Sequence, residues 1–332
     1  MRMRRYTGRS GAVLGLLGLL VIGPATAEAQ RVEGSFQRTL NVSGSADIDV
    51  TTGSGQIDVR QGGSGRVEVS ARIRADERWG SRRSQLSPEE RVRRLEANPP
   101  IEQTGSTIRI GYIKDEELRE GVSISYVVTV PPGTSVRARS GSGSQEIDAD
   151  GPIDVHTGSG SVRVRRAGRL RAATGSGSIT AENVGGEFYA TTGSGSIRAT
   201  SVAGAITAKT GSGGIDITQT AAGDVDVSSS SGTVRVRGVR GGVQASTSSG
   251  GLHIQGELER DWRLSASSGH VTIDLPPTQR FNLDATSGSG GIDVDFPITI
   301  SGRIDRRSVR GAVDGGGPLL RVRTSSGGIS IQ

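Results

Sequence analysis

The 332-residue chain has no cysteine, only three histidines and 3% aromatic residues. Each scarcity removes a class of explanation. Without cysteine there can be no disulfide staple, and no thiol follows the N-terminal apolar run to carry a lipoprotein anchor. So few aromatic rings leave almost no platforms for stacking nucleic-acid bases and too few to line a saccharide cleft. His156, His253 and His270 stand in no H-E-x-x-H or comparable ligand spacing. Serine and glycine abound, yet no G-x-S-x-G nucleophile elbow occurs. Every Thr-Gly-Ser-Gly copy also lacks the third glycine of a dinucleotide-binding loop.

Long apolar runs are missing too. The one candidate, residues 12–22, is too short to span a bilayer comfortably. Arg2, Arg4, Arg5 and Arg9 precede it, and the small-residue sites Ala25-Thr26-Ala27 and Ala27-Glu28-Ala29 follow. This pattern predicts a secretory signal peptide over residues 1–29, cut after Ala27 or Ala29. The expected location is extracytoplasmic: periplasm, cell surface or secreted, with no integral membrane segment after cleavage. Export also changes the charge. The chain carries 40 basic and 34 acidic residues, and residues 1–29 hold four of the former and one of the latter. The remainder has 36 against 33, a net +3, too weak a field to make nucleic acid a partner.

What the chain has in excess is glycine, 52 residues, and it recurs in phase with aliphatic residues. Thr-Gly-Ser-Gly-x-Ile or a near copy starts at Thr52, Thr157, Thr174, Thr192, Thr210, Thr247, Thr286 and Thr324. Aligning on the apolar residue after the turn gives Ile147, Val162, Ile179, Ile197, Ile215, Val234, Leu252, Val271 and Ile292, about 18 residues apart. A second small or apolar residue follows two positions later. Another such pair lies nine and seven positions earlier, as in Phe188 with Ala190 or Trp262 with Leu264. Each unit is therefore two short period-2 strands joined by Gly/Ser corners. A unit this small cannot bury its own apolar face, so units must stack in parallel about 4.8 Å apart, and nine of them make a rod roughly 40 Å long. The fold class expected is all-β, a single-stranded parallel β-helix or β-solenoid. Gly193 and Gly195 are assigned as structural turn residues, which need either positive φ or room for a crowded backbone.

The repeat is framed by excursions. Residues 30–135 form an N-terminal β region with a charged helical insertion at 72–100, which contains Trp79. There Ser87-Pro88-Glu89-Glu90 reads as N-cap, N1 and N3 of a helix, stopped by Asn98-Pro99-Pro100. This short amphipathic segment is expected to act as a solvated lid over the solenoid end. Residues 136–296 read as continuous solenoid. Residues 297–332 read as a loop insertion and a final coil whose last strand leaves an open end, to be covered by residues 303–318 or by a partner. Outward-facing columns support stacking. Asp148, Arg163, Thr180, Arg198, Asp216, Arg235, His253, Thr272 and Asp293 form one, and no two like charges adjoin in it.

The strand ending Val127-Val128-Thr129-Val130-Pro131-Pro132, followed by serial Ser/Thr-Gly-Ser-Gly-x-Ile/Val units behind a leader, resembles the bacterial "putative adhesin" β-strand-repeat family, a domain of unknown function. The resemblance covers residues 35–332 and implies a parallel β-helix at the cell envelope. It brings no functional residues with it.

Chemistry must then be sought on the flanks. Arg163, Arg165, Arg166, Arg169 and Arg171 fall within one unit and form a possible patch for an anionic envelope polymer; an ordinary solvated face is the alternative. Asp274, Asp293 and Asp295 are expected to gather on neighbouring units, with Asp284 on the next strand, as the carboxylates a β-helix polysaccharide lyase or glycosidase or an isolated calcium site would need. The expectation drawn is an exported, non-enzymatic β-solenoid without cofactor or resident metal. It would bind envelope glycan, a protein partner or its own copies through the open end. The alternatives are the carbohydrate-active enzyme and an envelope-stress accessory protein.

Overall fold

Strand after strand shows alternate residues buried. In Phe188–Thr192 and again in Ile215–Gln219 the first, third and fifth side chains point inward, and the intervening ones are part-exposed. In the computed structural model, which describes residues 31–76, 86–300 and 306–332, these strands stack in parallel into two facing sheets. Among the described residues the strand before each Gly/Ser corner joins a leading sheet of 15 strands, and the strand after it joins a trailing sheet of 14. Register is strict: Phe188 lies beside Ile206, Ala190 beside Ala208 and Thr192 beside Thr210. The space between the sheets is filled by Ile, Val, Leu and Ala, with Phe188, Trp262 and Phe281 each at most 1% exposed. The Trp262 indole N–H donates to the Gly241 carbonyl at 2.8 Å, so its one polar group is satisfied in that core. This is the expected β-solenoid, with two strands to each coil. The signal-peptide reading of residues 1–29 and the placement of Trp79 lie outside the described residues.

The corners explain the glycines. None in the Thr-Gly-Ser-Gly copies has positive φ. The cause is crowding: a Cβ on Gly193 would stand 2.4 Å from the Gly175 carbonyl oxygen, and one on Gly195 would stand 1.9 Å from that of Gly177. Corners stacked at strand spacing leave no space for a methyl group. The threonine before them is buried and works in both directions. The Thr192 hydroxyl accepts from Gly195 N–H at 3.1 Å within its own coil and donates to the Gly177 carbonyl of the previous coil at 2.8 Å. Thr157, Thr174, Thr210, Ser229, Thr247 and Thr324 repeat the arrangement. Ala266 occupies the same register, between Thr247 and Thr324, and has no hydroxyl to offer.

Chain order and stacking order agree from Ser135 to Asp274 and then part company. The C-terminal coil, Leu319–Thr324 with Ile329–Ile331, lies between the coil of Trp262–Ala266 and Val271–Asp274 and the coil of Phe281–Ser287 and Ile292–Val294. The last strand of the chain is thus internal, and the expectation that it forms the open end is corrected: Ile292–Val294 is the outermost trailing strand. Beyond Phe281–Ser287 the leading sheet continues in antiparallel strands Ser308–Val313 and Ile298–Ile300, so part of the segment read as a loop is strand. The N-terminal end mirrors this. The first coil, Asp47–Thr52 with Ile57–Gln61, is wedged between the later strands Thr107–Ile110 and Val122–Val130 on one side and Ser135–Ser140 and Gln145–Asp148 on the other.

The trailing sheet extends past that wedge through antiparallel strands Arg66–Asp76 and Arg31–Asn41. Residues 72–76, assigned to the helical insertion, therefore belong to a strand. The helix itself, α1 (Pro88–Ala97), starts as expected, with the Ser87 hydroxyl accepting from Glu90 N–H at 3.2 Å. It packs against Arg31–Asn41, where Val92 Cγ1 occupies the place a Cβ on Gly34 would take, and Val92 and Leu95 join the core. Buried Arg91 ties it to the carbonyls of Leu86 and Glu120. This helix is packed against the sheet rather than solvated on all sides.

Two changes test the corner ladder by urea unfolding. Thr192→Val should lower stability by about 1–3 kcal/mol, because it leaves a buried N–H and carbonyl unpaired. Ala266→Thr should raise it by about 1 kcal/mol by completing the ladder to Gly250 and Gly269. A neutral Thr192→Val would contradict the assignment.

Candidate ligand site

The predicted arginine patch is divided by the fold. Arg163, Arg165 and Arg166 lie on the trailing strand Val162–Arg166, whereas Arg169 and Arg171 lie on the leading strand Arg169–Thr174, across the corner. Arg165 pairs with Glu146, and Arg166 donates to Asp148 at 2.7 Å. On the leading face Arg171 stacks on Tyr189, 4.6 Å from its ring centroid. Arg169 and Arg171 border a hollow of about 210 Å³ with Arg137, Asp154, Glu187 and Tyr189. Gly193 and Gly195 sit in the corner stack described above.

The carboxylates are not gathered. The inserted strand Ile329–Ile331 separates Asp274 from Asp293 and Asp295, which places them two strand spacings apart, about 9.6 Å. Asp274 accepts from the Gln332 amide at 2.9 Å and faces His253 Nε2 at 3.1 Å. Asp284 is on the other sheet, gripped by Arg310 at 3.0 Å and Arg321 at 3.2 Å. The expectation of one carboxylate cluster is corrected, because the C-terminal coil intercalates between its members. Among the described residues no group of three His, Asp or Glu side chains could hold a metal ion.

The charge columns also need revision. Gln145, not Ile147, is the partner of Val162, so Glu146 faces outward beside Asp58. Arg60 donates to Asp58 at 3.1 Å and Arg165 pairs with Glu146, which relieves this like-charge contact. The inserted coil likewise places Arg321 beside Arg263, each with an aspartate at hand. Elsewhere alternation is regular: Arg109, Asp49, Arg137, Asp154 and Arg171 follow one another across the leading sheet.

That ladder leads to a cavity of about 490 Å³ at the N-terminal end. Its walls are the first corner (Thr51 to Gly53), the strand Thr107–Ile110, the chain that follows it with α2 (Glu116–Arg119), and the start of Val122–Val130. Arg109, Lys114 and Arg119 line it against a single acidic residue, Glu102, which Lys114 engages at 2.8 Å. The Lys114 hydrogen bond holds the Glu102 carboxyl below the usual carboxylate range. Tyr112 is exposed at the rim, and its hydroxyl donates to Asp49 at 3.0 Å. Tyr126, 1% exposed, has a buried hydroxyl with no hydrogen-bond partner among the described residues, and burial pushes its phenol pKa up, so it stays protonated. Gly111 roofs it: a Cβ there would be 3.1 Å from the Tyr126 oxygen and 1.9 Å from the Thr51 carbonyl. The repeat columns gave no hint of this cavity, which lies outside them. The available signal was a tyrosine at an inward position in Ile124–Tyr126–Val128, next to a charged non-repeat segment.

The architecture defines a class, the two-sheeted parallel β-solenoid with interleaved ends. The match of residues 47–332 to the model of Toastrack DUF4097 shows that the chain belongs to that family, a domain of unknown function. No curated protein matches it. Solved structures similar to it include a putative cell adhesion protein from Clostridium sporogenes ATCC 15579 (9% identity, TM-score 0.20, 90% of this chain and 99% of that one). A putative adhesin from Bacteroides fragilis NCTC 9343 is similar at 12% identity (TM-score 0.30, 90% and 97%). Another from Parabacteroides distasonis ATCC 8503 is similar at 9% (TM-score 0.31, 90% and 97%).

Asp284 offers a pH test. Burial alone would raise its pKa, but the Arg310 and Arg321 guanidiniums together outweigh that and lower it. A lowered folded pKa means the stabilisation is present above the unfolded carboxylate value, about 3.9, and fades as pH falls through the folded one. Asp284→Asn should therefore cost about 1 kcal/mol at neutral pH, since both arginines are part-exposed. The gap from wild type should close in acid. A gap independent of pH would contradict the ion-pair account.

Proposed function

We propose that the protein is an exported, non-enzymatic β-solenoid of the cell envelope that binds an envelope glycan or protein partner, or braces the envelope, by presenting a repetitive surface. The alternating ladder Arg109, Asp49, Arg137, Asp154 and Arg171 carries this reading. It repeats at strand spacing, about 4.8 Å, on a rigid face, as a binder of a polymer with regularly placed charges requires. Membership of the Toastrack family and the leader pattern of residues 1–29 support it. Among the described residues no helix is long and apolar enough to cross a membrane. The engagement of Asp274 by Gln332 and His253 and the scarcity of aromatic side chains to line a saccharide cleft weigh against the β-helix hydrolase reading.

Fractionation and pull-down test this together. The full chain, expressed in a bacterial host, should be recovered outside the cytoplasm and should retain envelope glycan or protein. Arg137→Glu with Arg171→Glu, which replaces the alternation with a run of acidic side chains, should reduce retention several-fold. Recovery in the cytosol, or turnover of a polysaccharide panel that Asp274→Asn abolishes, would overturn the proposal.

A further inference from the structure

The cavity at the N-terminal end combines features the flanks lack. It is concave, it is the size of a small-molecule site (roughly 300–1,000 Å³), and positive charge predominates on its walls. The acids nearby are already engaged, Glu102 by Lys114 and Asp49 by Arg139 at 3.2 Å. The cations are less so. Among the described residues Arg109 makes no ion pair, its guanidinium lying 6.0 Å from the Tyr112 centroid. Among the same residues Arg119 pairs with Glu116 alone, whose side chain is 89% exposed. Beneath Gly111 the Tyr126 hydroxyl is a buried donor without an acceptor, a costly arrangement for a protein to keep. Ile113, Val122 and Ile124 give one wall an apolar face, and the exposed Tyr112 ring stands at the mouth.

We propose that this cavity is a binding site for a small acidic saccharide. Arg109 and Arg119 meet its anionic group, the Tyr126 hydroxyl donates to one of its oxygens, and Tyr112 and the apolar wall cover its C–H face. An anion satisfies Arg109 and competes with the exposed Glu116 for Arg119, an oxygen acceptor satisfies the phenol, and a ring fits the mixed apolar and aromatic lining. A bare inorganic anion would leave the apolar and aromatic lining unused. A neutral sugar would lack it.

Titration calorimetry of the full chain with glucuronate, glucose 1-phosphate, glucose and inorganic phosphate decides the matter. At least one acidic sugar should bind, and glucose and inorganic phosphate should each bind about tenfold more weakly or not at all. Which acidic sugar binds tells a carboxylate from a phosphate ligand. Arg119→Gln should weaken binding about tenfold, the value of one charge-assisted contact. Tyr126→Phe should weaken it several-fold while leaving Tm unchanged or higher, because it removes an unsatisfied buried hydroxyl; a merely structural tyrosine would not separate the two readouts. Absence of binding at millimolar acidic sugar, equal binding of glucose, or variants with wild-type affinity would each overturn the proposal. The pull-down uses the ladder variants Arg137→Glu and Arg171→Glu, neither of which lines this cavity, so envelope retention that survives Arg119→Gln would leave the functional reading standing while this one fails.

Discussion

Everything in this molecule depends on how closely one corner can sit on the next. Parallel strands stack about 4.8 Å apart, and the chain must turn within that layer without pushing the layers apart. A Cβ at the second corner glycine would fall 1.6–2.0 Å from a carbonyl oxygen in coil after coil, at Gly143, Gly160, Gly177, Gly195, Gly213 and Gly232. Glycine is thus required by the neighbour above rather than by the local dihedral angles. The buried threonine supplies what the missing side chains cannot, since it closes its own corner and donates to the previous one. Strand register, core alternation and outward charge columns all follow from that alignment.

A stack held together by its corners has a problem at both ends, where a face of unpaired backbone would be left. Here the chain wedges its first coil inward at one end and its last coil inward at the other, and it extends the sheets with antiparallel strands. Each terminal coil is held on both sides. Residues 319–332 are therefore part of the core, and Leu320, Val322, Ile329 and Ile331 are all buried. The same device scatters the aspartates that chain order would have grouped, and it builds the N-terminal cavity from segments distant in sequence.

Much of the fold was legible because a period of about 18 residues repeats a local rule, and each copy confirms the others. The inward columns from Val162 to Val271 appear in the structure as they stand in the sequence, and so does the Ser87 cap of α1. Stacking order at the ends was not legible. A strand such as Ile329–Ile331 has the same pattern whether it is terminal or inserted, and only the three-dimensional fit selects between them. Gln145 misled for a related reason, since a buried amide occupies a column position that an aliphatic residue fills elsewhere. Its side-chain N–H donates to the His156 carbonyl at 2.7 Å, which makes the substitution tolerable. The cavity lined by Arg109 and Tyr126 was hidden because it arises where the repeat is interrupted.

Crowding, not chain flexibility, is the reason for the glycines, and one comparison separates the two. Gly53 and Gly193 hold the same place in the same motif and neither has positive φ, but a Cβ on Gly53 meets nothing within 4 Å, whereas one on Gly193 meets a carbonyl oxygen at 2.4 Å. Urea unfolding of Gly53→Ala and Gly193→Ala, each against the parent, measures the difference directly. Gly53→Ala should match or slightly exceed the parent in stability, and Gly193→Ala should lose at least about 2 kcal/mol or fail to fold. Equal effects of the two substitutions would contradict the claim that stacked corners govern this fold.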